Sequence, residues 1–253
     1  MKEYLTGIQL YSIREALKQD FKGVCRELVK LGCDGVEPAF YFGDMEPEEL
    51  AAFFKEIGMK VCGIHAHFNQ VTDPENEIYR YCRALNSPYI TFSYGGEASQ
   101  KDYKIYEVQT AELLNKASLA ALQNGMKVTY HNHYLELVPY PDNSCGLDHL
   151  IRNTSPENTG LELDVYWVKK GGQDPAAYIQ KNAARIWQLH MKDMAEDGSI
   201  TELGNGNVDL KKCIEAAENA PCKWLIYEQD YSQKDPFESA VISIGYLNKL
   251  LNK

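Results

Sequence analysis

The sequence lacks any apolar run approaching the roughly 20 residues that a membrane-spanning helix needs, so no helical bilayer span is expected. No run of Lys and Arg looks like a phosphate-tracking patch, and the formal net charge is −10 at pH 7. A surface that tracks nucleic-acid phosphates is therefore not expected either. There is no C-x-x-C pair. The seven cysteines, Cys25, Cys33, Cys62, Cys82, Cys145, Cys213 and Cys222, are odd in number and scattered through apolar segments. That is the pattern of reduced, buried thiols rather than of a disulfide framework. No apolar leader precedes the first patterned segment, and a cytoplasmic location is expected unless a leader has been removed. No G-x-G-x-x-G opens a helix after the first strand-like run, which argues against a dinucleotide-binding open sheet.

What is present is a regular alternation. Strand-like runs occupy 6–12, 35–39, 60–67, 89–94, 127–133, 159–167, 185–192 and 223–229. Helical patterns lie between them, at 20–32, 46–58, 75–86, 102–124, 146–153, 174–182, 209–218 and 236–251. The second of these has Pro47 near its start and Gly58 as its stop. With 253 residues, 44% of them apolar, and no linker or low-complexity stretch, the chain reads as a single α/β domain over 1–253. Eight β/α pairs predict one (β/α)8 TIM barrel.

Strand phase says more than strand count. In "IWQLHMK" the residues Trp187, Leu189 and Met191 are apolar, while Gln188, His190 and Lys192 are polar. In "LELDVY" the same split sets Leu161, Leu163 and Val165 against Glu162, Asp164 and Tyr166, and in "VTYHNH" it sets Val128 and Tyr130 against Thr129, His131 and His133. A charged side chain inside a barrel loses its water and must be paired or metal-bound. The interior is thus expected to hold a polar site. Five of the six histidines, His65, His67, His131, His133 and His190, fall at the ends of strand-like runs.

His131, Asp164, His190 and Glu228 stand nearest the C-terminal ends of strands five to eight. Two imidazoles and two carboxylates make a donor set for a divalent cation, zinc, manganese, cobalt or magnesium. The plainer alternative for each residue alone is a satisfied core side chain. The coincidence of four at matching positions favours the metal.

The stretches "GIQLYSIRE" (7–15), "GCDGVEPA" (32–39), "VTYHNHYLEL" (128–137), "LELDVYWVKKGG" (161–172), "LHMKDM" (189–194) and "LGNGNVDL" (203–210) resemble the sugar phosphate isomerase/epimerase family, with its xylose isomerase-like barrel. That family includes hexulose and tagatose epimerases, hydroxypyruvate isomerase, inosose dehydratase and, more distantly, a type of AP endonuclease. The resemblance implies a metal held from strands five to eight, with Asp164, His190 and Glu228 as ligands. Epimerases of the family carry a glutamate in strand five that binds metal and moves a proton. Here His131 stands at that place, with Glu136 as an alternative carboxylate, and the His131/His133 spacing resembles the inosose dehydratase branch.

The reaction expected is isomerisation or epimerisation of a sugar or keto-sugar by proton transfer through a metal-stabilised enediolate. A dehydratase or lyase on the same site is the alternative, a non-catalytic carbohydrate-binding barrel a further one, and a nuclease a third. Glu228 and His133 are the candidate bases, and Lys192 the candidate holder of a substrate oxygen. His65, His67, Tyr11, Glu37 and Trp167 are candidates for the substrate cavity. The loop 203–210 is a candidate anion site, its plainer reading being a turn with Asp209 as a helix cap. A small sugar or sugar derivative is the expected partner, with a homo-oligomer possible and neither nucleic acid nor membrane.

Overall fold

The first strand shows how the barrel is assembled. In Leu5–Gln9 (β1), Thr6 turns outward and its hydroxyl donates to Asn248, while Gly7 lies against Ile226 and Cys62, and Gln9 reaches inward to Glu37. The same two-residue alternation repeats in β2 (Gly35–Glu37), β3 (Lys60–Val61), β4 (Ile64–His65), β5 (Tyr89–Phe92), β6 (Lys127–His131), β7 (Thr159–Asp164), β8 (Ile186–Met191) and, past a short hairpin of β9 (Asp193–Met194) and β10 (Ile200–Thr201), β11 (Trp224–Tyr227). The computed structural model describes residues 2–93 and 105–253. Tyr94, at the end of one predicted strand, and 102–104, at the start of one predicted helix, lie outside the described residues.

The sheet runs in the order β3-β2-β1-β11-β8-β7-β6-β5-β4, with every pairing parallel. A parallel bridge from Ala39, just past β2, to His65 in β4 closes the ring of strands. The expected (β/α)8 TIM barrel is the fold observed, with β3 and β4 as two halves of the third strand. The break between them has a local cause. The carbonyl of Cys62 accepts a hydrogen bond from Gln188 across the interior at 3.1 Å. A Cβ on Gly63 would stand 2.7 Å from the Gln188 amide nitrogen and 2.8 Å from a Glu37 oxygen, so a larger residue has to push these side chains aside.

Helices α1 (Arg14–Lys30), α2 (Pro47–Ile57), α3 (Phe68–Val71), α4 (Ile78–Ala84), α5 (Ala111–Gln123), α6 (Gly146–Arg152), α7 (Val165–Lys170), α8 (Pro175–Lys181), α9 (Leu210–Ala216) and α10 (Pro236–Leu250) surround the strands. Gly58 ends α2 in the left-handed region at φ 73°. Outward strand residues such as Leu163, Leu189 and Leu225 are fully buried against this layer, each contributing on the order of 1.5–3 kcal/mol. All seven cysteines are buried and unpaired. No helix among the described residues is long and apolar enough to cross a membrane.

Several boundaries differ from the sequence expectation. The predicted first helix starts earlier, at Arg14, and is kinked at Asp20, whose carboxylate accepts from the Gly23 N–H. The first strand stops at Gln9, and Tyr11 sits in a short 3-10 turn. The sixth predicted strand stops at Asp164, because its side chain accepts from the Trp167 N–H at 2.9 Å and caps α7. Tyr166, expected inside the barrel, instead donates its hydroxyl to the Gly198 carbonyl.

Candidate metal centre

The four residues singled out at the ends of strands five to eight converge. His131, Asp164, His190 and Glu228, all buried, each offer one donor atom within 4.8 Å of the others. Donors around one cation at about 2.1 Å lie roughly 3 to 4.2 Å apart, so small side-chain shifts suffice to close the set. The fit has an independent mark. Asp164 Oδ2 is buried and accepts no hydrogen bond, although the Lys192 ammonium lies 3.0 Å away.

Each imidazole is held from behind. His190 turns Nδ1 toward Glu228, at 3.0 Å, and Nε2 toward Glu37, at 2.9 Å. His131 has Nδ1 3.1 Å from Glu162 and Nε2 on the side of Glu228. A carboxylate on the far nitrogen fixes ring orientation and tautomer, as metal-binding histidines require. Asn132 helps to fix Asp164: its side-chain oxygen accepts from the Asp164 N–H at 3.0 Å, extending the β6–β7 ladder beyond His131 and Glu162.

Burial is the largest influence on every charge here. At His131 it prevails and holds the ring well below its ordinary range, so the imidazole is neutral, the form that binds a cation. At Asp164 burial prevails over the Lys192 charge and lifts the carboxyl to about 6. At His190 burial is outweighed by Glu162 and Glu228, which raise the ring well above its ordinary value. At Glu228 it is outweighed by Lys192 and His190, which hold the carboxylate well below the usual range. Behind them, burial and then the charge of Glu37 push Glu162 far up, while His190 keeps Glu37 ionised against burial. Two adjacent buried carboxyls ionise one at a time.

Above the four lies a cavity of about 150 Å³ at the C-terminal mouth, lined by Tyr11, His65, His131, His133, Glu228 and their neighbours Gln9, Ala39, Phe40, Ser93 and Asp230. Larger hollows exist, one of about 570 Å³ beside Trp224 among them, but they carry no such donor set. His133 is half-buried, with its ring 5.1 Å from that of His131 and 5.4 Å from that of Trp167. His65 is held down to about 4, by burial first, and so is neutral.

The other candidates are placed differently. His67 is exposed and stacks on Phe40 at 4.3 Å. Glu37 lies beneath His190 rather than in the cavity. Lys192 is fully enclosed, with Asp164, Glu228 and Asp230 at 3.0, 2.7 and 2.8 Å. Glu136 turns away from the cluster, accepting from the Tyr130 hydroxyl at 2.8 Å and the His133 N–H at 3.2 Å. The loop 203–210 is filled from within, because Asp193 accepts from the N–H groups of Gly204, Gly206 and Val208. Asp209 caps α9 as the plainer reading had it. Asp230, Gln9 and Phe40 were not foreseen. Asp230 follows Glu228 at the two-residue spacing and was accessible by extending the phase.

The family profile described as xylose isomerase-like TIM barrel matches residues 25–250. The chain belongs to this family. Among its members with curated names, the inosose dehydratase of Clostridium tetani is 29% identical over 160 residues, covering 55% of this chain and 53% of that protein. The matches to that protein and to its namesake from Lacticaseibacillus casei span about half the length of each. Two solved structures share the xylose isomerase-like barrel from end to end. A sugar phosphate isomerase/epimerase from Parabacteroides distasonis superposes with a TM-score of 0.79 at 19% identity, over 98% of this chain and 94% of that one. The IOLI protein with a bound zinc atom superposes at 0.77 and 14% identity, over 98% of both chains.

Proposed function

We propose that the chain works as one barrel unit and is a divalent-metal-dependent lyase. It removes the proton next to the carbonyl of a keto-sugar or keto-polyol and expels the β-hydroxyl as water. The observation that carries this reading is the convergence of His131, Asp164, His190 and Glu228 beneath a cavity that also presents His133. The bound cation supplies Lewis-acid polarisation of the substrate carbonyl. The chain supplies the rest. His133, on the cavity wall and outside the donor set, takes the carbon-bound proton. His65, neutral at pH 7, hydrogen-bonds a substrate hydroxyl. Lys192 balances the charge of Asp164, Glu228 and Asp230, and reaches a substrate oxygen only if one of them releases it. In the elimination the C–H bond electrons form the new C=C bond and the C–O bond breaks toward oxygen, which leaves as water on receiving from His133 the proton taken from carbon.

Elimination is favoured over epimerisation because an epimerase that works on both faces needs a base on each side of the carbon. Here strand five provides His131 in place of a second carboxylate, and His65 is too weak a base. The name shared by the inosose dehydratase relatives supports the same choice. A single-base isomerase or epimerase is the second reading, favoured by Glu228, whose carboxylate lines the cavity.

The test is metal analysis of protein purified without chelator, followed by incubation with 2-keto-myo-inositol and a panel of keto-sugars in D₂O. Water loss, seen as a conjugated carbonyl absorbance, is expected. Deuterium incorporation with isomer or epimer formation and no water loss would transfer the assignment to the second reading. Ligand binding unaffected by chelation, with no exchange at all, would point to a silent carbohydrate-binding barrel.

A further inference from the structure

Phe40 is placed at a cost. Directly after the Ala39–His65 bridge, the Tyr41 N–H donates to the Ala39 carbonyl at 2.7 Å across Phe40, whose φ is 60°. This is a three-residue turn of the strained hand. An aromatic residue there costs on the order of 1–3 kcal/mol, and such strain persists where the surroundings enforce it. What the strain achieves is position. The Phe40 ring is 47% exposed and lines the cavity above His131 and Glu228, with His67 stacked on it at 4.3 Å and His65 at 5.7 Å. Tyr11, also on the cavity wall and 39% exposed, is backed by the Arg14 guanidinium at 4.1 Å.

The charges around these rings have one sign. Among the described residues, the cavity lining contains the carboxylates of Glu228 and Asp230 and no Lys or Arg. Lys192 is enclosed by three carboxylates. Arg14 stacks on Tyr11 and donates to the Tyr11 and Asp230 carbonyls. The glycine-rich loop that resembles an anion cradle already holds the Asp193 carboxylate. Among the described residues, a phosphate at this mouth would meet the Glu228 and Asp230 carboxylates and no Lys or Arg, whereas the C–H face of an uncharged ring would meet an aromatic face. A cavity of about 150 Å³ takes one six-membered ring.

We infer that Phe40 is a specificity-determining residue: a platform on which the ring of an uncharged cyclic polyol stacks over the metal-type donors, in a site that rejects the phosphate ester of the same ring. The inference rests on the proposed reading of this cavity as the substrate site.

The probes are myo-inositol and myo-inositol 1-phosphate, titrated into metal-loaded protein by calorimetry. The uncharged ring is expected to bind at least about tenfold more tightly than its phosphate, the scale of one like-charge encounter. Phe40→Ala should weaken the uncharged ring by about tenfold, the scale of one stacking contact, with metal content unchanged. Phe40→Trp should retain it. Phe40→Gly, which relieves the left-handed strain, should lose the ring and raise Tm, separating a binding role from a structural one. Equal or tighter binding of the phosphate, failure of both probes to bind, or unchanged affinity in Phe40→Ala would overturn the inference. Ring selectivity without C–H exchange would sink the proposed lyase and leave this inference standing.

Discussion

Lys192 and an incoming cation would compete for the same carboxylates. Its ammonium touches Asp164 Oδ2 and Glu228 Oε2, on two of the four donor residues, and is tethered by Asp230 on its third side. A divalent cation entering beside it is repelled, and two positive charges a few ångströms apart cost several kcal/mol even at an effective dielectric near 20. Lys192→Met is therefore predicted to bind Mn²⁺ or Zn²⁺ at least about tenfold more tightly in a competition titration, while its chelated form melts lower than the chelated parent. Weaker binding in Lys192→Met would show that the lysine supports the cation instead. His133 tests the other half of the proposal. His133→Ala should leave metal content intact and slow C–H exchange by about 10²–10⁴, the usual contribution of a positioned base. Full exchange in that variant leaves Glu228 as the base. At this scale the sequence was legible where strand phase applies: Asp164 and His190 stand out by alternation, and Glu228 by its place at the end of its strand. It was silent where a loop decides. Phe40 sits in a turn whose hand no local pattern announces, and nothing before the fold says that Glu136 bonds Tyr130 instead of facing the donors.

Among the elements, the third strand is the one shaped by the site. Its halves β3 and β4 are separated because the Cys62 carbonyl turns inward to Gln188, and Gly63 leaves room for Gln188 and Glu37. Gln188 also accepts from Thr129, and Glu37 accepts from Gln9 and faces His190. A methyl group at 63 must displace this interior layer. Gly63→Ala is predicted to lower unfolding stability by about 1–3 kcal/mol, as overpacking does, and to weaken metal binding by disturbing the support of His190. Denaturant melts and a metal titration measure the two effects. A stable variant with unchanged affinity would mean that the layer relaxes freely. The element order, the parallel sheet and most helices were legible because period-two and period-3.6 patterns are strong over such lengths. The halved strand was not, since one glycine in "KVCGIHAH" reads equally as strand interior. Helix α7 was hidden for a different reason. Asp164 is both the last residue of β7 and the cap of the helix that follows, so the apolar run continued unbroken across the boundary.

The whole molecule carries net negative charge, and inside it the donor cluster stores protons that a cation must displace. In the metal-free protein His190 is raised well above its ordinary value, because Glu162 and Glu228 outweigh its burial, and Asp164 is raised to about 6 by burial. A metal needs the His190 Nδ1 lone pair and the Asp164 carboxylate, so loading must release protons. The sign follows directly. A group whose folded value is raised contributes stability that is full below its unfolded value and lost as pH rises through its folded value. For Asp164 that loss begins near its ordinary value of 3.8 and is complete a little above 6. For His190 it begins near its ordinary value of 6.5 and continues upward. Above about pH 7, where the lowered His131 and His65 no longer oppose it, the His190 contribution to the metal-free protein falls with rising pH, while the loaded protein, its donors deprotonated and coordinated, does not follow. At a metal concentration of 100 times Kd, loading contributes about 2.7 kcal/mol, or roughly 5–10 °C in Tm. The prediction is that this gap between loaded and chelated protein is smaller at pH 6 than at pH 8.5. Calorimetry in buffers of different ionisation enthalpy should show net proton release near neutrality, and more below pH 6, where Asp164 is protonated as well. Heats independent of buffer, with an affinity flat across that range, would mean that His190 is already neutral without metal and that the carboxylates around it serve only to aim the ring.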